Sequence, residues 1–180
     1  MQCRLRWLAS NCVGALLLLS APAAAQDEPL PLRTEFLMQI SAELEDPQPI
    51  GETPLGDRQI VYVKGGEFSG PGLKGGVLPG GGDWVLVRKD GVRQLDVRIT
   101  LRTEDGALIF VTYRGIVNMA PEVRRRILNG EAVDPSAYYF RTTPFFETAA
   151  DKYAWLNKVV AVGVGRRTAT GVVYSVYAIK

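Results

Sequence analysis

Hydrophobic and polar residues alternate with a period of two along most of the chain. Leu95, Val97, Ile99 and Leu101 are separated by single polar residues, which makes 95–102 the clearest example. Because successive side chains of a β-strand point to opposite faces, this pattern predicts a strand with one apolar face. The same reasoning predicts strands over 34–44, 58–63, 84–88, 107–117, 138–148, 159–165 and 171–179.

Glycine and proline mark the connections between these strands. Asp90-Gly91 and Glu104-Asp105-Gly106 predict two hairpin turns. The proline-containing segment 46–54 predicts a loop, and Gly65-Gly66 is expected to end the second strand. We interpret the glycines of 65–82 as turns, bulges and corners of a bent sheet. A dinucleotide-binding glycine motif is rejected, because it would have to open a helix in a parallel βαβ unit.

Only Pro121–Leu128 is predicted to be a helix, with proline in its first turn and Asn129-Gly130 as its end, and 151–156 is expected to add one helical turn. The run 124–126 of three arginines is predicted to be a solvated helix face.

Many short strands with scarcely any helix predict an all-β sandwich or barrel. Several strands are apolar on both faces, as when the second face lines an enclosed lumen or a subunit contact, so a homodimer stays an open alternative. We predict a single closed or nearly closed antiparallel β-barrel of about eight to ten strands, which can hold one small ligand. The expected organisation is a signal peptide (1–25), a flexible lead-in (26–33) and a barrel domain (34–180).

The first 25 residues have the three parts of a secretory signal peptide. Arg4 and Arg6 form a basic start, 13–19 is apolar, and the alanines of 23–25 offer a cleavage site. We therefore expect a periplasmic or secreted protein. No later segment approaches the length of a membrane span, so no membrane association is expected after cleavage.

Composition removes several classes of function. The chain has 21 basic and 19 acidic residues, and loss of Arg4 and Arg6 leaves 19 of each, which gives no reason to expect a nucleic-acid partner. Cleavage also removes Cys3 and Cys12, so disulfides are excluded. Without histidine or mature cysteine, Ser-His-Asp triads, Cys–His dyads and the usual zinc sites are unavailable. We expect neither a metal nor a cofactor, and chemistry carried by carboxylates, Tyr, Arg, Lys or hydroxyls.

The segment 138–157 is the densest in aromatic residues. In an extended strand, Tyr139, Arg141 and Thr143 share one face. An arginine among aromatics is costly to bury unless a carboxylate or a ligand pairs with it. We hypothesise that Arg141 faces the lumen and binds an anionic or carbonyl group, with Glu147 or Asp83 as its partner in the empty protein. The alternative is a structural Arg–Glu pair under a packed aromatic cluster.

Six motifs stand in order along the chain: Gly66-Glu67-Phe68-x-Gly70-Pro71, Gly76-x-Leu78-Pro79-Gly80-Gly81-x-Asp83-Trp84, Asp96-x-Arg98, Asp105-Gly106-Ala107-Leu108-Ile109, Tyr139-Phe140-Arg141-Thr142-x-Pro144-x-Phe146-Glu147-Thr148 and Tyr153-x-Trp155-Leu156-Asn157. Together they are similar to the motifs of the DUF3237 (UPF0311) family. The resemblance covers about 36–177 and implies a small β-barrel, similar in outline to lipocalin-like and allene-oxide-cyclase-like barrels. It implies no particular reaction, and the signal peptide departs from the usual family pattern.

Asp83 beside Trp84 is a candidate general acid or base, because a partly desolvated carboxyl can have a raised pKa. The alternative is a turn aspartate that binds backbone amides. The pattern leaves open whether Asp96 and Arg98 face the lumen or solvent, and the family motif favours the lumen. The candidate catalytic residues are Asp83, Glu147 and Tyr139, and the candidate ligand-binding residues are Trp84, Arg98, Tyr113, Arg141, Trp155 and Asn157. For the last two, a core tryptophan with a capping asparagine is the alternative.

Two functions agree with this reading. The first is a cofactor-free isomerase, cyclase or lyase that acts on a hydrophobic carbonyl or aromatic compound by acid–base chemistry. The second is a non-catalytic carrier of a small apolar molecule, since a barrel supports both. An enzyme should place a carboxylate and a Tyr or Arg around one point of a concave pocket. A carrier should have a mostly apolar lumen with mutually neutralised charges.

Overall fold

The computed structural model describes residues 29–180, and Leu32–Lys180 form one compact unit. Its strands are β1 (Thr34–Leu44), β2 (Gln48–Thr53), β3 (Gly56–Gly70), β4 (Leu73–Val77), β5 (Gly82–Val87), β6 (Arg93–Thr103), β7 (Leu108–Asn118), β8 (Tyr139–Glu147), β9 (Ala161–Arg167) and β10 (Gly171–Ile179). Helix α1 spans Pro121–Leu128, and two 3₁₀ helices span Pro135–Ala137 and Asp151–Lys158. No helix within 29–180 is long and apolar enough to cross a membrane.

The strands close into an eight-position antiparallel barrel, which confirms the predicted fold class. The order around the barrel is β1, β10, β9, β8, β7, β6, a position shared by β4 and β5, and then β3, which pairs back with β1. The length of β3 permits this sharing. Its first half pairs with β2 and β5, and its second half pairs with β1 and β4.

Alternation along each strand decides which side chains fill the interior. In β6, Leu95, Val97, Ile99 and Leu101 are buried, whereas Arg98 between them is exposed. Phe68, Leu101, Ile109 and Leu156 are almost inaccessible, and the pairing of β3, β4, β6 and β7 puts the first three at one end of the barrel. Burial of each such side chain contributes about 1.5–3 kcal/mol. The other end, beneath α1, is hollow.

Two predicted boundaries are wrong, both around β3. The segment 46–54 is not only a loop, because β2 pairs there with the start of β3. Gly65 and Gly66 do not end a strand, since β3 continues through them to Gly70. Gly66 has a φ of 151°, and a Cβ there would come within 2.0 Å of the Ser41 carbonyl oxygen. These glycines therefore permit a sharp bend where β3 lies against β1.

The predicted helix and both hairpins are confirmed. Gly130, with a φ of 82°, follows α1, and Gly91 and Gly106 adopt φ values of 81° and 89° in their turns. The predicted turn at 151–156 is the longer 3₁₀ helix Asp151–Lys158. The expected signal peptide and the first residues of the lead-in lie outside the described residues.

Candidate active site in the barrel lumen

The hollow end of the barrel encloses a cavity of about 340 Å³. Its wall is mostly aliphatic and includes Val61, Val85, Val97, Ile99, Phe140 and Val172. Six polar side chains interrupt this wall, namely Asp83, Arg93, Tyr113, Arg124, Arg167 and Tyr174. A small, mostly apolar pocket with a few convergent polar groups is typical of a small-molecule site.

Asp83 lies on the lumen face of β5, between Val61 of β3 and Val97 of β6 in the strand register. These neighbours cannot solvate a charge, so burial raises the pKa of the Asp83 carboxyl from 3.8 to about 7. Burial outweighs the opposing hydrogen bond from the Asp96 backbone and the charges of Arg93 and Arg167. A carboxyl with such a pKa can both accept and donate a proton at neutral pH.

An interruption of the β5–β6 ladder holds the Asp83 carboxylate in place. The pairing stops after Asp83 and resumes at Leu86. In the gap, the Asp96 backbone amide donates to Asp83 Oδ1 at 3.0 Å, and Arg58 Nη1 donates to the Trp84 carbonyl oxygen at 2.6 Å. Two side chains thus take the place of the missing ladder bonds, and the carboxylate gains a fixed orientation.

Two tyrosines face the same cavity. Asp83, Val97 and Tyr113 are paired in sequence across β5, β6 and β7, so Asp83 and Tyr113 share one row, with backbones roughly 10 Å apart. The ring of Tyr174 packs edge-on against Tyr113 with 5.4 Å between centroids. Burial raises the pKa of both hydroxyls well above 10. Both hydroxyls therefore stay protonated and can donate hydrogen bonds to a ligand oxygen.

Three arginines line the α1 end of the cavity: Arg93 of β6, Arg124 of α1 and Arg167 of β9. Within residues 29–180, none of the three has a carboxylate oxygen within 4.0 Å. Arg124 is half-buried, so the prediction that all three arginines of 124–126 are solvated is wrong at this residue, whereas Arg125 and Arg126 are exposed as expected. It shares a helix face with Ile127, three residues on, and Ile127 is buried.

The structure brings only Asp83 and Tyr113 of the predicted site residues into the cavity. Trp84 lies on the outer face, where the Arg98 guanidinium stacks over its ring at 5.1 Å. Arg98 also pairs with Asp96 at 3.2 Å. The expectation that Asp96 and Arg98 face the lumen is therefore wrong, because the apolar members of β6 occupy that side.

The predicted lumen position of Arg141 is also wrong. Tyr139, Arg141 and Glu147 are exposed on the outer face of β8, and Phe140 is among the residues that point inward. Arg141 Nη1 donates to the Phe140 carbonyl oxygen at 2.9 Å, and its guanidinium lies over the Tyr139 ring at 5.1 Å. With Trp84 and Asp96, Tyr139 and Arg141 line a groove on the outer surface.

Trp155 and Asn157 lie away from the cavity, on the 3₁₀ helix. Trp155 is 43% exposed and is not the core residue of the alternative interpretation. Asn157 does act as a cap, because its Oδ1 accepts from the Thr148 amide and its Nδ2 donates to the Thr148 carbonyl, both at 2.9 Å. Its function is to join the helix to the end of β8.

Sequence reasoning missed Arg93, Arg167 and Tyr174, although the alternation contains them. Arg93 precedes Leu95 in the inward series of β6, and Arg167 follows Gly163 and Gly165 in the inward series of β9. A polar residue at the end of an inward-facing series is the signal that could have identified the two arginines, whereas Tyr174 lies inside the inward series of β10 and resembles a core residue.

The part of the chain that the structure describes contains no group of three or more His, Cys, Asp or Glu side chains arranged to hold a metal ion. Metal independence stays a prediction, to be tested directly.

Comparison with known proteins gives the family. A family described as a protein of unknown function (DUF3237) matches residues 32–179. A UPF0311 protein from Rhodopseudomonas palustris is 38% identical over 146 residues, which cover 81% of this chain and 95% of the relative. The chain therefore belongs to the DUF3237 (UPF0311) family, as its motifs predicted.

Solved structures share the barrel. A β-barrel-like protein from Acinetobacter baumannii superposes with a TM-score of 0.74 at 38% identity, covering 86% of this chain and 100% of that one. A protein from Penicillium herquei described as an enzyme superposes with a TM-score of 0.66 at 22% identity, covering 86% and 99%. At that identity the second likeness concerns the fold alone.

Proposed function

We propose that this member of the DUF3237 family binds a small hydrophobic carbonyl or aromatic compound in its lumen and catalyses a proton transfer on it, without a metal or an organic cofactor. Isomerisation, cyclisation and elimination are the reaction types in question. The observation that carries the proposal is the Asp83 carboxyl, held in an apolar wall two strands away from the protonated hydroxyl of Tyr113 in the same row.

The roles follow from the protonation states. Ionised Asp83 would remove a proton from the carbon next to a carbonyl group, and the C–H electron pair would move to the carbonyl oxygen. The hydroxyl of Tyr113 or Tyr174 would donate a hydrogen bond to that oxygen and stabilise the enolate. Protonated Asp83 would then return the proton to another atom of the same compound. A positioned general base of this kind contributes about 10²- to 10⁴-fold in rate.

The charges of the cavity favour catalysis over simple carriage. A carrier was expected to neutralise its lumen charges mutually, whereas Arg93, Arg124 and Arg167 have no carboxylate oxygen within 4.0 Å in the described part of the chain. Keeping a carboxyl and arginines in an aliphatic wall costs stability. Such a cost is typical of sites selected for chemistry rather than for folding.

Exchange of carbon-bound protons tests the proposal. The purified protein would be incubated in D₂O with 1-indanone, 2-tetralone or acetophenone, with and without EDTA, and loss of the α-proton signal followed by NMR. We expect faster exchange than in buffer, unaffected by EDTA, and a loss of about 10²-fold or more in Asp83→Asn. Glu147→Gln is the matched control, because that carboxylate is exposed on the outer face of β8 and should leave the rate unchanged.

No acceleration with any of the three ketones would contradict the catalytic role. Saturable binding of the same ketones without exchange would instead identify a carrier.

A further inference from the structure

We infer that the natural ligand is an amphipathic anion, whose apolar body lies against the barrel wall and whose carboxylate or similar oxyanion lies among Arg93, Arg124 and Arg167. This inference deepens the proposed function, because it uses the same cavity and adds the class of compound that the cavity would take.

Three separate elements bring the arginines together. Arg93 begins β6, Arg167 ends β9, and Arg124 belongs to α1 at the hollow end. Arg93 is paired with Val87 and Val117 on the neighbouring strands, and Arg167 is paired with Val172. All three side chains are half-buried. The guanidinium groups thus converge on one end of a cavity whose strand neighbours cannot solvate or neutralise them.

The local charge is unbalanced. Burial, and after it the charges of Arg124 and Arg167, lower the pKa of Arg93 to about 10, against a smaller opposing effect of Asp57 and Asp83. Burial also lowers the pKa of Arg167. Arg93 still carries its charge at neutral pH. An oxyanion among the three would relieve their mutual repulsion, and planar guanidinium groups suit the two oxygens of a carboxylate.

The spacing limits the size of the ligand. Arg93 lies four residues before Val97 on β6, and Val97 is paired with Asp83. At about 3.3 Å per residue this is roughly 13 Å along the strand. This is a separation between backbones, and the Arg93 and Asp83 side chains both line the cavity, so the ligand has to span less than that distance. A one- or two-ring acid agrees with a cavity of about 340 Å³. The expected ligand is an aromatic or alicyclic monocarboxylate of this size.

A matched pair of probes tests the inference. We would titrate 2-naphthoate and 2-naphthylmethanol by calorimetry, because the two share the ring system and differ in the anionic group. The wild-type protein is expected to bind 2-naphthoate at least tenfold more tightly. Arg93→Gln and Arg167→Gln should each weaken 2-naphthoate at least tenfold and change 2-naphthylmethanol less than twofold. Arg167→Lys should recover part of the loss, and Arg125→Gln, an exposed arginine of the same helix, should change neither probe.

Failure of the wild-type protein to prefer 2-naphthoate would overturn the inference, as would equal weakening of both probes by Arg93→Gln and Arg167→Gln. The rate of α-proton exchange in the three ketones separates failure of this inference from failure of the proposed function. Exchange that depends on Asp83 without a preference for the carboxylate leaves catalysis standing and removes the anion site. A preference for the carboxylate without any exchange leaves the anion site standing in a carrier.

Discussion

Asp83 Oδ1 accepts a hydrogen bond from the backbone amide of Asp96 at 3.0 Å, across a gap in the β5–β6 ladder. The two carboxyl groups lie on opposite sides of the barrel wall, since Asp96 pairs outside with Arg98. One hydrogen bond thus orients the Asp83 carboxyl without neutralising its charge. The basicity of this carboxyl is set mainly by burial in the aliphatic wall.

The first prediction concerns stability and pH. The folded pKa of Asp83 is about 7, above the unfolded value of 3.8, so the folded state binds more protons between these values. The contribution of the Asp83 carboxyl to the free energy of unfolding is therefore complete below about pH 4, and it is lost as the pH rises through 7. We expect Asp83→Asn to be more stable than wild type at pH 8 by about 2–4 kcal/mol, and this advantage to vanish near pH 4. Urea unfolding of both proteins at several pH values measures it, and a difference independent of pH would refute the buried carboxyl.

The second prediction concerns the pH dependence of ketone exchange. If ionised Asp83 is the base, kcat/KM should rise with pH and level off above an apparent pKa near 7. The positive charge of Arg93 lowers the pKa of Asp83, so Arg93→Gln should move the midpoint to higher pH. NMR exchange rates between pH 5 and 9 check both expectations. An unchanged midpoint in Arg93→Gln would mean that the two groups do not interact.

The third prediction concerns Gly165, where a Cβ would come within 2.5 Å of the Phe140 ring. Phe140 packs edge-on against Tyr174 at 5.3 Å between ring centroids, and both line the cavity. Gly165→Ala should therefore cost about 1–3 kcal/mol of stability and weaken 2-naphthylmethanol binding, because the ring has to move. Val164→Ala, at the exposed neighbouring position, is the control. Thermal melting and calorimetry decide, and equal behaviour of the two variants would argue against the close contact.

The fourth prediction follows from the outward position of Arg141. Its stacking on Tyr139 and its bond to the Phe140 carbonyl are surface interactions. Arg141→Leu should lower stability by less than about 1 kcal/mol and leave 2-naphthoate binding unchanged. A tenfold loss of affinity in this variant would return Arg141 to the ligand site.

The fifth prediction is that the mature protein begins at or near Gln26 and is found outside the cytoplasm. It rests on the basic, apolar and small-residue parts of 1–25. N-terminal sequencing of protein from fractionated native cells is the measurement, and an intact Met1 would contradict export.

Alternation along single strands predicted most of the barrel, but it did not predict which face of β8 points into the lumen. A period of two tells which residues share a face, and it placed Tyr139 with Arg141 correctly. It cannot tell which face is inside when both carry aromatics, as in β8, because the neighbouring strands decide that. Asp83 and Tyr113 were identified by residue type, a carboxyl beside an aromatic side chain and a tyrosine in an apolar strand, and not by which face of β5 or β7 points inward. Strand β2 was missed because Pro49 and Gly51 within it, and a proline on either side, resemble a loop, although β3 pairs with it.

The shared position of β4 and β5 has an evolutionary consequence. The carboxyl-bearing β5 is only six residues long, and the short link 78–81 separates it from β4. A two-residue shift in the register of β5 would keep Asp83 on the lumen face and move it about 7 Å along the wall relative to Tyr113, whereas a one-residue shift would turn it to the outer face. Descendants of this barrel could thus acquire new substrates by changing one short segment, under little pressure from the folding of the remainder.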